Sequence, residues 1–304
     1  MKHIEQMSTI KEQPFPSFRV GLIGAGIQAS RSPRLHEQEA GENGLSYSYQ
    51  LFDLEQLGVG AEALPRLLDE AQKQGFAGLN ITHPCKQAVI PLLDELSEEA
   101  TIIGAVNTVV FKNGKRIGHN TDCFGFAEGF RRGLKDAPLD HVVLIGTGGG
   151  GSAVAVAALQ LGVKRLALYD ADSERVSALK KRLCNYFAAE RLGDITDLAA
   201  TMASADGLIQ ATPVGMSSYP GTPLPLDLLQ PRHWIAEIIY FPLETALLHY
   251  ACAIGCRAIN GGGMAVFQAA KSFQLFTEVA PDAERMVRHF AAMGNDNQNH
   301  ERRG

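Results

Sequence analysis

The sequence predicts an α/β fold in two domains, on three observations. Short apolar runs of strand length alternate with helical stretches from residue 19 onward. The alternation comes in two series, joined by a polar, proline-containing stretch at 135–140 (KDAPLD). A glycine-rich turn at 146–151 stands between a strand and an alanine-rich helix where the second series begins. Strands alternating with helices imply parallel sheets covered on both faces. A chain of 304 residues is long enough for two medium domains.

In the first series, strands are expected at 19–23, 47–52 and 78–81. Ser32 followed by Pro33 reads as an N-cap with proline in the first helical turn, where its missing N–H costs nothing. Leu64, Leu67, Leu68 and Ala71 give 61–74 helical spacing. A further helix is expected at 84–93. Strands 108–111 and 116–118 flank Asn113-Gly114, a two-residue hairpin signal. Helix resumes near Cys123 and runs to about 132. The second series predicts strands at 141–145, 165–169, 207–210 and 234–239. Its helices are expected at 149–161, 173–187, 245–254, 264–277 and 282–292. Residues 1–17, broken by Pro14 and Pro16, and the polar tail 293–304 read as flexible termini.

Composition narrows the function classes. Hydrophobic residues make up 45% and charged residues 20%, as in an ordinary globular protein. A net charge of −5 argues against a nucleic-acid or membrane-surface binder, which needs basic patches. No run reaches the ~18 apolar residues of a membrane span. The N-terminus lacks the basic-then-apolar layout of a signal peptide, so a cytoplasmic location is expected. The five cysteines, Cys85, Cys123, Cys184, Cys252 and Cys256, match no metal-ligand spacing. They read as small apolar residues in a reducing compartment, and no metal is expected.

Two loops match a dinucleotide fingerprint. In the later one, Gly146-Thr147-Gly148-Gly149-Gly150-Gly151 follows strand 141–145 and opens a helix. Gly146 permits the tight turn, Gly148 lets the backbone approach a pyrophosphate, and Gly151 lets helix and strand pack closely. Asp170 ends the next strand, where a carboxylate accepts from a ribose hydroxyl and repels a 2′-phosphate. With Ala171 and Asp172 following, NAD is expected over NADP; Arg175 is the one residue that opposes this. The alternative is a glycine turn with no ligand. The domain built on this loop is read as a Rossmann-type doubly wound dinucleotide-binding domain. The earlier loop, Gly24-Ala25-Gly26, is followed by Ser30-Arg31-Ser32-Pro33. Proline delays the helix there, too late to aim its N-terminus from the turn. That loop reads as a hydroxyl-rich binding loop instead.

Three polar stretches stand among the apolar strands: 80–86 (NITHPCK), 104–108 (GAVNT) and 120–122 (NTD). Each sits at a strand end or helix start, where open α/β sheets bind ligands. With the loop at 30–33, the glycine turn, 211–216 (ATPVGM), Tyr240-Phe241-Pro242, Gly263-Met264 and Gln268, they match in order the shikimate dehydrogenase family. The sequence most resembles its NAD-using quinate/shikimate branch, over about 19–292.

The resemblance implies an α/β substrate-binding catalytic domain from 18–124 plus 264–292, with an NAD-binding domain at 125–263 inserted. It implies Lys86 and Asp122 as the catalytic pair. Ser30 and Ser32 would hold a substrate carboxylate, and Thr82, Asn107 and Gln268 its ring hydroxyls. Tyr240 is placed near the substrate, with a structural hydrogen bond as the alternative. The cofactor would meet Gly146, Gly148, Gly149, Gly150, Gly151, Asp170, Thr212, Met216 and Gly263; for Met216, ordinary packing is the alternative. The expected partner is a small substrate, shikimate or quinate, and the expected assembly a monomer or homodimer.

Oxidising a secondary alcohol sends a hydride to the cofactor and a proton to the enzyme. Lys86 can take that proton in a drier cleft, with Asp122 orienting it; a salt bridge without chemistry is the alternative. His83 and His119 read as loop residues. Three departures stand out: Asn260 where the family often has aspartate, Ser32 where NAD-using relatives often have threonine, and Glu237 for the usual aspartate. A dehydrogenase for another cyclic hydroxy acid, such as an aminoshikimate, and a silent NAD-responsive regulatory module are the competing readings.

Overall fold

A computed structural model describes residues 16–301, and the side chains of 294–301 are not described. The first half runs β1 (Ser17–Gly24), α1 (Ser32–Glu42), β2 (Ser46–Asp53), α2 (Leu54–Leu57), α3 (Leu64–Lys73), β3 (Gly78–Ile81), α4 (Cys85–Ala88), β4 (Glu95–Leu96), α5 (Glu98–Ile103), β5 (Thr108–Lys112), β6 (Lys115–His119) and α6 (Asp122–Gly133). The second runs β7 (His141–Ile145), α7 (Gly149–Leu161), β8 (Arg165–Tyr169), α8 (Ser173–Leu183), β9 (Leu192–Asp194), α9 (Leu198–Ser204), β10 (Gly207–Gln210), β11 (Trp234–Glu237), α10 (Ala246–Ala253) and β12 (Arg257–Ile259). Two helices, α11 (Gly262–Thr277) and α12 (Ala283–Glu301), end the described chain.

The result is a two-domain α/β fold with two six-stranded sheets, ordered β2-β1-β3-β5-β6-β4 and β12-β11-β10-β7-β8-β9. Every pairing in the second sheet is parallel. Its central strands β7, β10 and β11 are buried on both faces; Val142, Val143 and Leu144 of β7 are fully enclosed. The first sheet departs from the all-parallel expectation. Strand β5 runs antiparallel to β3 and to β6, because the Asn113-Gly114 hairpin returns the chain beside itself.

Each sheet has one place where its strand order reverses. In the first it lies between β1 and β3; in the second, between β7 and β10. Loops leaving adjacent strands part there and open a crevice. Across the first crevice, Ala25 N–H donates to the His83 carbonyl at 2.9 Å. Across the second, Gly146 (φ +100°) lies so close to Ala211 that a Cβ on Gly146 would come within 2.7 Å of its backbone.

Helix packing carries the last helices back to the first sheet. Glycines in α6 let α11 approach closely: a Cβ on Gly125 would fall 2.6 Å from the Met264 carbonyl. Gly263 packs against Gly129 in the same crossing. This brings Gln268, on α11, beside Thr121 and Asp122 at the start of α6.

Some local expectations are corrected. Ser32 is the first residue of α1 rather than its cap; Arg31 stands at the cap position without a side-chain cap bond. The helix expected at 84–93 is broken into α4 and a tight turn at Ile90–Leu92, which contains Pro91. The helix expected at 173–187 stops at Leu183. Short α5 was not expected; Ser97 caps it by accepting from the Ala100 N–H. The last helix continues to Glu301 instead of ending at 292, so part of the tail read as flexible is helical. The rest of the termini read as flexible, 1–15 and 302–304, lies outside the described residues.

Candidate active site

The glycine turn is shaped by backbone demands. A Cβ on Gly151 would fall 2.0 Å from the Gly146 carbonyl oxygen, so the turn and α7 meet only if that position is glycine. Around Gly148, by contrast, nothing lies within 4 Å of a Cβ position, leaving the backbone open to a ligand. At the end of β8, Asp170 accepts from the Thr147 N–H at 2.7 Å and the Thr147 hydroxyl at 3.0 Å. Burial raises its carboxyl, but these donors and the Asp172 N–H together outweigh that and hold it below the ordinary range. Arg175 pairs with Asp172, Nε to Oδ2 3.1 Å.

The earlier glycine loop is occupied differently. Asp53, at the end of β2, accepts from the N–H groups of Gly26 and Ile27 and from the Gln28 amide. Its carboxylate folds its own loop, in which Ser30 and Ser32 follow. The Ser30 hydroxyl oxygen accepts from the Ser32 N–H at 3.3 Å. Thr82 lies against Gly24, where a Cβ would meet its methyl at 2.2 Å.

Lys86, on α4, donates from Nζ to Asp122 Oδ2 at 2.5 Å; their side chains are 21% and 8% exposed. The other oxygen, Oδ1, accepts from the Asn107 amide at 2.9 Å. Asn107 is itself fixed: it donates to the Thr121 hydroxyl at 2.9 Å and accepts from the Thr121 N–H at 2.8 Å. Its amide is therefore committed to orienting Asp122, a task the sequence reading did not give it. Gln268 Oε1 lies 3.4 Å from the Thr121 hydroxyl. Asp122 begins α6, where the helix N-terminus favours a negative charge.

The two halves meet at this pair. The Lys86 stem lies 3.5 Å from the Cβ position of Gly149. A cleft of about 470 Å³ is lined by Thr82, His83 and Lys86 from one side and by Thr147, Gly148, Gly149 and Gly150 from the other. Tyr240, 41% exposed, follows β11; desolvation shifts its hydroxyl up, and it also feels the charges of Lys86, Arg31 and Asp122.

Loop 211–216 is held from below. Gln210 accepts from the Thr212 N–H at 2.8 Å and donates to the Val214 carbonyl at 2.7 Å. Met216 is 36% exposed. Glu237, opposite Gln210 in the sheet, is 2% exposed. Its Oε2 accepts from the Thr245 hydroxyl at 2.5 Å, while Oε1 is buried without a partner. Burial pushes this carboxyl up from 4.5 to about 7. The folded protein therefore keeps a proton there that the unfolded chain releases above about 4.5. The resulting stabilisation, at most roughly 3 kcal/mol, is complete below that pH and lost as pH rises through about 7. Glu237→Gln removes the titration. Its melting temperature relative to the parent is expected to rise between pH 5 and pH 8; a constant difference would refute the assignment.

The thiols beside the pair are closed off. Cys85 and Cys123 are buried, and burial pushes Cys123 up to about 12. Among the described residues no cluster of metal-ligating side chains occurs, and no helix is long and apolar enough to cross a membrane. The sequence reading missed Asn120, which accepts from the Asp122 N–H and donates to the Ala105 carbonyl. Its place in the NTD stretch was the available signal.

Two α/β sheets with crevices on a shared cleft, one offering an open glycine turn and the other an ammonium–carboxylate pair, define a two-domain, dinucleotide-dependent oxidoreductase. A family model described as the shikimate dehydrogenase substrate binding domain matches residues 22–109. The chain is 52% identical over 279 residues, 91% of its length and 96% of the relative's, to a shikimate dehydrogenase (NADP(+)) of Streptomyces avermitilis. It is similar to the structure of quinate dehydrogenase from Corynebacterium glutamicum in complex with NAD, with TM-score 0.85 and 44% identity, covering 91% of this chain and 99% of that one. A Thermus thermophilus shikimate 5-dehydrogenase in complex with NADP(H) and shikimate gives TM-score 0.80 at 32% identity, over 90% and 99%. The chain belongs to the shikimate dehydrogenase family. Identity is higher to the NADP-named relative than to the NAD-using branch the sequence reading favoured.

Proposed function

We propose that this chain interconverts shikimate and 3-dehydroshikimate, and accepts quinate, with NAD as the hydride acceptor. The observation that carries the reading is the 2.5 Å Lys86–Asp122 contact beside the glycine turn. We further propose 18–124 with 264–292 as the substrate-binding unit and 125–263 as the cofactor unit.

Bound nicotinamide dinucleotide supplies the hydride acceptor. The remaining tasks fall to side chains of this chain. Ser30 and Ser32 hold the substrate carboxylate, and Thr82 and Gln268 its ring hydroxyls. Lys86 faces the reacting oxygen. In the oxidative direction the unprotonated amine accepts the hydroxyl proton; in the reductive direction the ammonium returns it. Asp122, fixed by Asn107, keeps the lysine on that line. The open backbone at Gly148 and the N-terminus of α7 suit a pyrophosphate.

Preference for NAD rests on the end of β8. Asp170 and Asp172 place negative charge where a 2′-phosphate needs cations, and Arg175 is drawn onto Asp172. The test is reduced-cofactor formation with shikimate at mildly alkaline pH. Turnover is expected, with kcat/KM for NAD roughly 10- to 100-fold above that for NADP, the scale of one unfavourable charge contact. Higher kcat/KM with NADP would overturn the cofactor assignment, and no turnover of shikimate or quinate would overturn the substrate assignment.

A further inference from the structure

Arg31 stands between the two serines of the carboxylate loop, and none of the roles above uses it. Its guanidinium lies over the Phe290 ring of α12, 5.1 Å from the centroid, and 5.9 Å from that of Phe241. Aromatic faces fix the plane of a guanidinium but satisfy none of its in-plane N–H groups. Nη1 is buried and has no hydrogen-bond partner. Among the described residues Arg31 forms no ion pair, although carboxylates elsewhere in the protein pair with their arginines. A buried donor left unmade is costly, and such groups mark a strain reservoir or a missing ligand.

The charge belongs to the loop that carries Ser30 and Ser32, the proposed carboxylate site. It acts on the Tyr240 hydroxyl, which also feels Lys86 and Asp122. Lys86 is neutralised by Asp122. Ser30, Ser32, Thr82, Gln268 and Tyr240 are neutral donors. A carboxylate leaving water for this cleft needs an opposite charge, because burial of an unpaired anion is strongly unfavourable.

We infer that Arg31 is a specificity-determining cation: its unpaired guanidinium offsets the charge of the substrate carboxylate at Ser30 and Ser32, selecting acids over their uncharged analogues. This rests on the proposed oxidation of a cyclic hydroxy acid and adds the source of its preference for an anion. The flanking rings hold the positive charge at the loop before substrate arrives, so little ordering remains at binding. The serines give direction to the carboxylate; the arginine gives the field.

The test compares shikimate with its methyl ester, which keeps every ring hydroxyl and lacks the charge. Both are assayed with the parent enzyme, Arg31→Met and Arg31→Lys. Where the ester is not turned over, its inhibition constant against shikimate replaces kcat/KM. Arg31→Met is expected to lose roughly 10- to 100-fold in kcat/KM for shikimate, the scale of a charge-assisted hydrogen bond, mainly through KM. For the ester the loss stays within about threefold, and Arg31→Lys recovers part of the acid's rate. Equal losses on acid and ester, or none on either, overturn the inference while leaving the functional reading intact. A general loss from damaged packing falls under the first of these. A parent enzyme that oxidises neither shikimate nor quinate overturns the functional reading, and this inference falls with it.

Discussion

Replacing Lys86 with alanine is expected to lower kcat by about 10²–10⁴-fold, the usual scale for losing an acid–base group. Lys86→Met is the better-controlled variant. Its unbranched side chain keeps contact near Gly149, where the lysine stem lies 3.5 Å from the Cβ position. Only the ammonium is lost. Asp122, whose side chain is 8% exposed, is left with the Asn107 amide as its remaining side-chain donor. A stability loss of about 1–3 kcal/mol should accompany the kinetic one. Dinucleotide binding, followed by fluorescence titration, should change little, because the glycine turn is untouched. If kcat is preserved and only KM rises, Lys86 is a binding residue and the proton has another acceptor.

Asp122→Asn has the second-largest expected effect and a different cause. The new amide is nearly isosteric. Its oxygen satisfies Asn107, whose Nδ2 already donates to Oδ1 at 2.9 Å. That orientation turns the N–H₂ group toward Lys86 Nζ, where the carboxylate oxygen accepts at 2.5 Å. Donor then faces donor, and the ammonium loses both its acceptor and its direction. A fall in kcat of roughly 10²-fold is expected, with KM for the cofactor unchanged. Steady-state kinetics at fixed pH would show it. Unchanged turnover would remove Asp122 from the mechanism and leave the pair a structural ion pair.

Parts of this architecture are legible in the sequence because their causes are local. Strand β7 reads as four apolar residues after His141, and a buried parallel strand needs that composition. Gly146 and Gly151 are demanded by a turn and a contact within the same short stretch. The Asn113-Gly114 hairpin was equally plain, although its consequence, antiparallel pairing in the first sheet, depends on where β3 lies. Features set by distant partners were hidden. Asp53 ends β2 much as Asp170 follows β8, yet it closes its own glycine loop through Gly26 and Ile27. Spacing alone does not separate the two acids; the delayed helix at Pro33 was the usable clue.

The proposed catalytic pair is legible through family resemblance rather than spacing. Nothing local in 80–86 or 120–122 says that Lys86 reaches Asp122. The closeness of α6 and α11, through Gly125 and Gly129, brings Gln268 to the same corner. Arg31 and Glu237 were harder still. The rings beneath Arg31 come from the far end of the chain, and the orphan oxygen of Glu237 is visible only once Thr245 and Gln210 surround it.

The most direct measurement is of where the hydrogen goes. Shikimate carrying deuterium on C3, the carbon bearing the reacting hydroxyl, is incubated with enzyme and oxidised NAD, and the recovered cofactor is weighed by mass spectrometry. Reduced cofactor carrying that deuterium is predicted, because the proposed function puts substrate and nicotinamide in one cleft beside the Lys86–Asp122 pair. Reduced cofactor without the label, or none at all from an enzyme that binds both ligands, would contradict hydride transfer across this cleft.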